Sequence, residues 1–107
     1  MNFRILEVEY DYFTASYSPG NKSALLNWAT AKEWENSYFE VERSVNELKT
    51  WEKIGQVEGA GYADKTVKYT YQDMKLPLAG GNIFYRLKQV DLDGSFAYSD
   101  TKAIRIE

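Results

Sequence analysis

Two glutamates in an alternating segment are the first residues in this chain whose type and spacing suggest chemistry. Glu40 and Glu42 are two positions apart, so on a strand they share one face at a separation of about 7 Å, given a rise of ~3.3 Å per residue. Glycosidases use carboxylate pairs that lie roughly 5 to 9.5 Å apart. Neighbouring positions on an exposed sheet imply no pocket, however, and ion pairing with an adjacent strand explains both charges more simply. We therefore expect no catalytic residue and no enzymatic activity.

A second candidate is the segment Asp91-Leu92-Asp93-Gly94, which begins like a calcium-binding loop. An EF-hand loop needs a bidentate Glu at its twelfth position, and that position counted from Asp91 is Lys102. Asp100 is the one additional oxygen ligand nearby. A hairpin turn in which the aspartates accept hydrogen bonds from the local backbone fits the segment better. We expect neither a metal nor a cofactor.

Three aromatic residues form the third candidate site. Trp34, Trp51 and Tyr62 fall at strand ends or in connections, where at least one ring should be exposed. Exposed rings can stack on sugars, which makes these residues candidate glycan contacts. The alternative is that they cap the open ends of a sandwich, because aromatic side chains bury large areas even when they stay partly wet. Both interpretations remain open at this point, and capping is the favoured one.

Composition excludes several classes of function. The chain has 107 residues, no Cys and no His, which rules out disulfides, thiolate or imidazole metal sites, and Ser-His-Asp triads. The net charge is −3 and the basic residues are scattered, so a nucleic-acid partner is not expected. No apolar run approaches the ~20 residues that a membrane span needs. The remaining classes are binding and structural modules.

Hydrophobic alternation and turn signals predict an all-β fold of seven antiparallel strands, packed as a sandwich of the fibronectin type III or immunoglobulin kind. We expect one domain over residues 1–107, with its core in about 8–106. The predicted strands are Val8–Tyr17, Ser23–Ala29, Tyr38–Ser44, Trp51–Val57, Thr66–Gln72, Ile83–Asp91 and Phe96–Ile106. The inward-facing core positions are Trp28, Phe39, Val41, Tyr69, Tyr71, Tyr85 and Leu87.

The connections carry predictions of their own. A parity change near Tyr12-Phe13 suggests a bulge, and Ser18-Pro19-Gly20-Asn21 predicts a turn with positive φ at Gly or Asn. The polar stretch 30–37 could hold a short turn of helix. Gly59-Ala60-Gly61 predicts a flexible loop that continues to about Lys65. The segment 76–81 should cross between the two sheets.

Two features of the sequence resemble fibronectin type III domains. The run from Tyr85 to Gly94 is similar to the sixth strand and following turn of that family, and Trp28 matches its buried Trp on the second strand. The resemblance implies that Tyr85 is a tyrosine corner whose hydroxyl bonds back to upstream backbone. It also places the sixth strand beside the third, so that Arg86 and Lys88 would pair with the two glutamates described first.

Four phrases in order give a narrower resemblance. They are Leu26-Asn27-Trp28-Ala29-Thr30-Ala31, Tyr38 to Ser44, Ile54 to Gly61, and Tyr85 to Gly94 followed by Tyr98-Ser99. Together they are similar to the fibronectin-III-like modules of secreted Bacteroidetes proteins, which often precede type IX secretion sorting domains. This resemblance implies an extracellular or cell-surface location. It also implies a non-catalytic spacer or interaction module with the neighbouring domains of a parent protein as its partners. We expect the module to be a monomer. A carbohydrate-binding or adhesion module, with a polysaccharide as its partner, is the alternative.

Overall fold

A computed structural model describes residues 8–77 and 80–106 of the chain. Within these ranges all regular structure is strand, and no helix there is long and apolar enough to span a membrane. The elements are β1 (Glu9–Ser18), β2 (Ser23–Ser44), β3 (Glu52–Ala63), β4 (Val67–Asp73), β5 (Gly81–Asp91), β6 (Phe96–Tyr98) and β7 (Lys102–Ile106). Every pairing between them is antiparallel, which confirms the predicted fold class.

The strands form two sheets that share β2. In sheet A, the first arm of β2 lies between β1 and β4. In sheet B, the second arm of β2 lies between β3 and β5, and β5 in turn pairs with β6 and β7 along its other edge. The connection 74–80 joins β4 of sheet A to β5 of sheet B, as predicted for a segment crossing between sheets, although residues 78–79 lie outside the described part of the chain.

The strand β2 reverses direction between its two arms. Trp28 on the first arm packs edge-on against Phe39 on the second, with ring centroids 5.4 Å apart. The reversal occurs at residues 31–36, which we call the corner. Glu35 adopts a φ of 58° there, a left-handed conformation that bends the chain sharply. The helical turn considered for 30–37 is therefore wrong, because the corner is held by side chains rather than by a helical hydrogen-bond ladder.

The core lies between the arms of β2 and is built around Trp28. The predicted core residues Trp28, Phe39, Val41, Tyr85 and Leu87 are fully buried. Tyr69 and Tyr71 are half-buried and pack against this cluster, with the Tyr69 ring stacked on Trp28 at 5.7 Å. The two tyrosines are only half-buried because each extends its hydroxyl to a polar partner, Glu33 for Tyr69 and the carbonyl of Ile54 for Tyr71.

Two glycines change the prediction for β3, which runs on to Ala63 instead of ending in a loop at residue 59. A Cβ on Gly59 would lie 2.4 Å from the Asn36 side chain, and one on Gly55 would lie 2.4 Å from the Tyr71 ring. These glycines therefore allow close packing within a strand. Gly61 has a φ of 78°, which marks an irregularity in the strand.

Two further expectations need correction and one is confirmed. The last predicted strand is split into β6 and β7, because the Ser99 hydroxyl accepts a hydrogen bond from the backbone N–H of Leu87 and interrupts the ladder. The bulge expected near Tyr12-Phe13 is present at the adjacent Asp11, between the pairs formed by Tyr10 and Tyr12. In the turn after β1, the positive φ belongs to Lys22, neither to Gly nor to Asn.

The sandwich has two distinct ends. The corner end carries the β2 corner, the start of β1, the end of β3 and the β5–β6 turn. The opposite end carries the β1–β2 turn and the ends of β4 and β7. The longest dimension of the molecule is 46 Å. Glu9 therefore lies at one end of the sandwich and Ile106 at the other.

Candidate functional site

The corner is organised by Glu33, whose side chain is only 3% exposed. Its carboxylate accepts hydrogen bonds from the Thr30 hydroxyl at 2.7 Å, the Asn36 amide at 2.7 Å and the Ala60 backbone N–H at 2.9 Å. The Tyr69 hydroxyl donates a fourth, short hydrogen bond. A buried carboxylate with four donors is fully satisfied as an anion. This cluster ties the corner to β3 and β4.

The titration of this cluster follows from its contacts. Burial on its own raises the pKa of Glu33, but the hydrogen bonds from Tyr69, Asn36, Thr30 and Ala60 outweigh it, so the pKa lies below its ordinary value. Burial, followed by the hydrogen bond to Glu33, raises the pKa of Tyr69. The carboxylate thus stays charged and the phenol stays neutral at pH 7, which suits a structural anion rather than a proton-transfer group.

The polar network extends from this cluster into sheet B. Gln89 donates from its side-chain amide to Asn36 at 2.9 Å and to Asp91 at 2.7 Å. Asp91 in turn accepts from the Ser95 hydroxyl at 3.1 Å. All three of Asn36, Gln89 and Asp91 are buried. A continuous chain of hydrogen bonds therefore joins the β2 corner to the β5–β6 turn across the corner end.

Two of the three candidate glycan contacts come together beside this network. Trp34 and Tyr62 pack edge to face with ring centroids 5.2 Å apart. They are 48% and 56% exposed. Trp34 projects outward from the corner between Glu33, which points inward, and Glu35, which holds the positive φ. The pair, called the corner aromatic pair below, is an exposed surface on a braced segment of chain.

Trp51 does not join this pair. It precedes β3, whereas Tyr62 lies near the far end of that strand, roughly 35 Å away at ~3.3 Å per residue. The Arg86 guanidinium stacks over the Trp51 ring at 4.2 Å and over the Tyr98 ring at 3.9 Å. Trp51 is half-buried in this stack. The three predicted contacts therefore do not form one contiguous patch.

The glutamates of β2 lie on the outer face of sheet B. Glu42 is opposite Arg86 and accepts a hydrogen bond from it at 2.8 Å. Glu40 is opposite Lys88, but its ion pair is with Lys53 at 3.5 Å, because Lys88 instead lies over the Phe96 ring at 4.2 Å. Both carboxylates are thus engaged with cations on a sheet face.

The Asp91–Gly94 segment is a hairpin turn. The Gly94 N–H donates to the Asp91 carbonyl at 3.0 Å, and Asp93 accepts from the Ser95 N–H at 2.9 Å and the Ser95 hydroxyl at 2.6 Å. Within residues 8–77 and 80–106, no group of three or more acidic side chains is placed to hold a metal ion. The carboxylates at this turn take part in local hydrogen bonds.

A second buried carboxylate organises the opposite end. Asp73 accepts from the Arg43 guanidinium at 2.9 Å and from the Tyr85 hydroxyl at 2.6 Å. Arg43 also pairs with Glu52 at 2.5 Å and donates to the Lys75 carbonyl at 2.8 Å. The resemblance implied a backbone acceptor for Tyr85, so that expectation is wrong: the acceptor is a side-chain carboxylate. Burial, then the hydrogen bond to Asp73, raises the pKa of Tyr85.

Sequence reasoning did not identify Glu33, Asn36 and Gln89 as members of a buried network. Glu33 and Asn36 lie in a polar stretch that looks like a solvated connection, and Gln89 has the parity of a core residue but a polar side chain. The available signal was the polar side chain of Gln89 at an inward-facing position, because a polar residue on an inward face needs a buried partner. Its partner is 53 positions away in the chain, too far for any local pattern to indicate.

Solved structures share this fold. The pectate lyase Pel3 of Pectobacterium carotovorum matches in two crystal structures with TM-scores of 0.58 and 0.61 at 18% identity. These matches cover 87% of this chain and 26% of the lyase chain, so the chain spans about a quarter of the lyase length. An Fn3-like protein from Clostridium thermocellum matches with a TM-score of 0.60 at 20% identity, over 86% of this chain and 84% of that one. No family model and no curated protein matches the sequence.

These findings define the fold class. The chain has an Fn3-like β-sandwich fold, in which sheet A contains β1, β2 and β4 and sheet B contains β2, β3, β5, β6 and β7. Its buried charged groups serve the packing of the two sheets. Among the described residues, exposed surfaces include the corner aromatic pair, the outer face of sheet B and the sheet edges.

Proposed function

We propose that this domain is a non-catalytic module of a larger secreted or cell-surface bacterial protein, which it serves as a spacer between neighbouring domains. The observation that carries the proposal is that Glu9 and Ile106 lie at opposite ends of a sandwich 46 Å long. Domains attached at the two ends would be held apart by a folded body. A folded module of this shape fixes the distance between the two neighbouring domains, whereas a flexible linker allows a wide range of distances.

The buried networks support the same role. Glu33 and Asp73 each join elements of both sheets at their own end of the sandwich. Fully hydrogen-bonded buried networks specify one arrangement of the packed elements. A spacer needs that rigidity. A general acid or base in an active site needs a pKa close to the working pH, whereas the pKa of Glu33 is lowered further away from neutrality.

The comparisons are consistent with a role inside a longer chain. An Fn3-like fold that makes up 26% of a pectate lyase chain is an example of the fold within a larger protein. By analogy, we place this module beside domains that act on or attach to extracellular material. The secreted Bacteroidetes context and a type IX sorting domain belong to this proposal through the sequence resemblance alone.

Distance measurements between spin labels test the spacer role directly. The chain has no Cys, so Glu9→Cys and Arg105→Cys introduce two unique labelling sites near the two ends, both at exposed positions. We expect a single narrow distance distribution that does not change when polysaccharide is added. A broad distribution would contradict a rigid spacer, and turnover of any polysaccharide by the purified chain would contradict a non-catalytic module.

The corner aromatic pair supports carbohydrate binding or adhesion as a second candidate function. Trp34 and Tyr62 present two half-exposed rings at 5.2 Å on a segment fixed from below by Glu33. Rigid aromatic rings bind sugars without first having to be ordered. Trp51 has no comparable free face because Arg86 covers it.

A titration with soluble polysaccharides, followed by tryptophan fluorescence, tests this second function. Binding through the corner aromatic pair should be lost in Trp34→Ala and retained in Trp51→Ala, with both variants checked for folding by circular dichroism. No fluorescence change at millimolar sugar would remove the glycan-binding candidate and leave the spacer proposal intact. Equal loss in both variants would place the sugar elsewhere on the protein.

A further inference from the structure

A groove lies between the edge of sheet A and the edge of sheet B. Its volume is about 410 Å³, within the range of ligand-binding clefts. One wall is the first half of β1, and the other is β6 with the segment that leads into β7. The lining includes Asp11, Tyr12, Tyr98, Ser99, Asp100 and Lys102.

The hydrogen-bond register of β6 shows which way its backbone faces. The Ser99 N–H donates to the Leu87 carbonyl at 2.9 Å, and the Asp91 N–H donates to the Ser95 carbonyl at 2.8 Å. Hydrogen-bonded pairs alternate along an antiparallel ladder. The intermediate positions Phe96 and Tyr98, which face Val90 and Lys88, therefore direct their N–H and C=O groups away from β5. In the described part of the chain, β6 pairs with no other strand.

Within the described ranges of the chain, the side chains of β6 do not cover this edge. The Phe96 and Tyr98 rings pack against each other at 5.6 Å and over Lys88 and Arg86 on the outer face of sheet B. Because both rings lie on the outer face of sheet B, they do not extend over the outward-facing N–H and C=O groups of β6. A short strand edge with free donors and acceptors is a template for one more strand.

The opposite wall is shaped by the β1 bulge. Asp11 is the extra residue of the bulge, since Tyr10 pairs with Thr30 and Tyr12 with Ala29. Asp11 is exposed and lines the groove together with Asp100, which is also exposed. Neither side chain forms an ion pair within residues 8–77 and 80–106. With one cation, Lys102, in the lining, the groove carries a net negative charge.

We infer that this groove binds an extended peptide by strand addition to β6. The Phe96 and Tyr98 backbone groups form the new ladder. The occupant carries basic side chains toward Asp11 and Asp100. The inference extends the proposed function, because it gives the module a contact through which a segment of another protein or of a neighbouring domain is held.

A pair of synthetic peptides tests the inference. The probe is a capped decapeptide of alternating valine and lysine, and its control has the same sequence with N-methyl groups on the backbone amides along one edge. Both peptides have the same charge and side chains, so only strand addition distinguishes them. We expect the probe to shift the Phe96 and Tyr98 amide NMR signals and to slow their hydrogen exchange. The control should bind at least ~10-fold more weakly, because it lacks the backbone hydrogen bonds.

A matched pair of variants adds a test on the protein side. Phe96→Pro removes an outward-facing N–H at an edge position, where proline is tolerated, whereas Phe96→Ala removes the ring and keeps the N–H. Strand addition predicts that the proline variant loses at least ~10-fold in affinity relative to the alanine variant. Amide NMR spectra establish that both variants are folded.

Several outcomes would overturn the inference. No shift at millimolar probe, equal binding of both peptides, or shifts that map away from β6 and the first half of β1 would each do so. Shifts of Phe96 and Tyr98 that grow with protein concentration alone would assign the edge to a second copy of this chain. None of these results bears on the distance between Glu9 and Arg105, so the spacer proposal is decided separately.

Discussion

The Tyr85 hydroxyl donates to the Asp73 carboxylate at 2.6 Å, and this contact joins β5 of sheet B to the last residue of β4 in sheet A. Arg43 completes the group from the second arm of β2 at 2.9 Å. Three elements from both sheets thus meet at one buried anion. Glu33 does the same at the corner end, where its donors come from β2, β3 and β4. The sandwich is closed at each end by one satisfied carboxylate.

The first prediction concerns Tyr85 at neutral pH. Tyr85→Phe removes a hydrogen bond to a charged acceptor while Arg43 and the Lys75 N–H still reach Asp73. We expect the free energy of unfolding to fall by about 1.5 to 3 kcal/mol, measured by urea denaturation at pH 7. Tyr98→Phe, at a 47% exposed tyrosine, is the matched control and should change little. Equal effects of the two substitutions would contradict the role given to the Tyr85 hydroxyl.

The second prediction is a loss of stability at alkaline pH. The pKa values of Tyr69, Tyr71 and Tyr85 are raised in the folded state, first by burial and, for Tyr69 and Tyr85, next by the hydrogen bond to a carboxylate. Stability from such groups is fully present below their unfolded pKa of about 10 and is lost as pH rises above it. Thermal melts from pH 7 to 11 should show this decline, and Tyr85→Phe should make it shallower. An unchanged slope in the variant would contradict the assignment.

The third prediction concerns Glu33 and acid. Because the folded pKa of Glu33 is lowered, its contribution is complete above the unfolded pKa of about 4.3 and is lost as pH falls through the folded value. Glu33→Gln should cost about 2 to 3 kcal/mol at pH 7, since the new amide N–H groups meet donors instead of acceptors. It should also flatten the acid side of the stability profile.

The exposed Glu9→Gln is the control for Glu33. It should leave both the stability at pH 7 and the acid profile unchanged. If the two variants lose stability in parallel as the pH falls, the acid sensitivity does not come from the corner network.

The fourth prediction uses three glycines. Gly59→Ala and Gly55→Ala each place a methyl group 2.4 Å from a packed side chain, so each should destabilise the fold by about 1 to 3 kcal/mol. Gly20→Ala meets nothing within 4 Å and should stay within about 0.5 kcal/mol. Denaturation curves of the three variants give the comparison. A neutral Gly59→Ala would mean that Asn36 can move aside and that the corner is less tightly packed than the contacts indicate.

The fifth prediction concerns the centre of the core. Trp28 is fully buried and contacts the rings of Phe13, Phe39 and Tyr69. Trp28→Ala should cost about 3 to 5 kcal/mol, read from a denaturation curve followed by circular dichroism because the substitution itself changes the tryptophan fluorescence. A cost below 1 kcal/mol would contradict its central position.

Much of the architecture could be predicted from the sequence because it depends on local periodicity. Alternation fixes which side chains of a strand face inward, and it placed Trp28, Phe39, Val41, Tyr85 and Leu87 in the interior where the structure has them. Turn chemistry located the connections around residues 18–23 and 91–95. Alternation and turn chemistry involve residues only a few positions apart, so they can be recognised without knowing the fold.

The tertiary structure decided what local patterns cannot carry. Gly59 lies within a strand because it packs against Asn36, 23 positions earlier in the chain. The Tyr85 hydroxyl donates to Asp73, 12 positions earlier, where a backbone acceptor was expected. The grouping of exposed rings was also decided there: β3 carries Tyr62 to Trp34 and leaves Trp51 at its other end, under Arg86. Periodicity states which face of a strand a residue occupies, whereas burial and hydrogen bonding depend on which distant strand lies against that face.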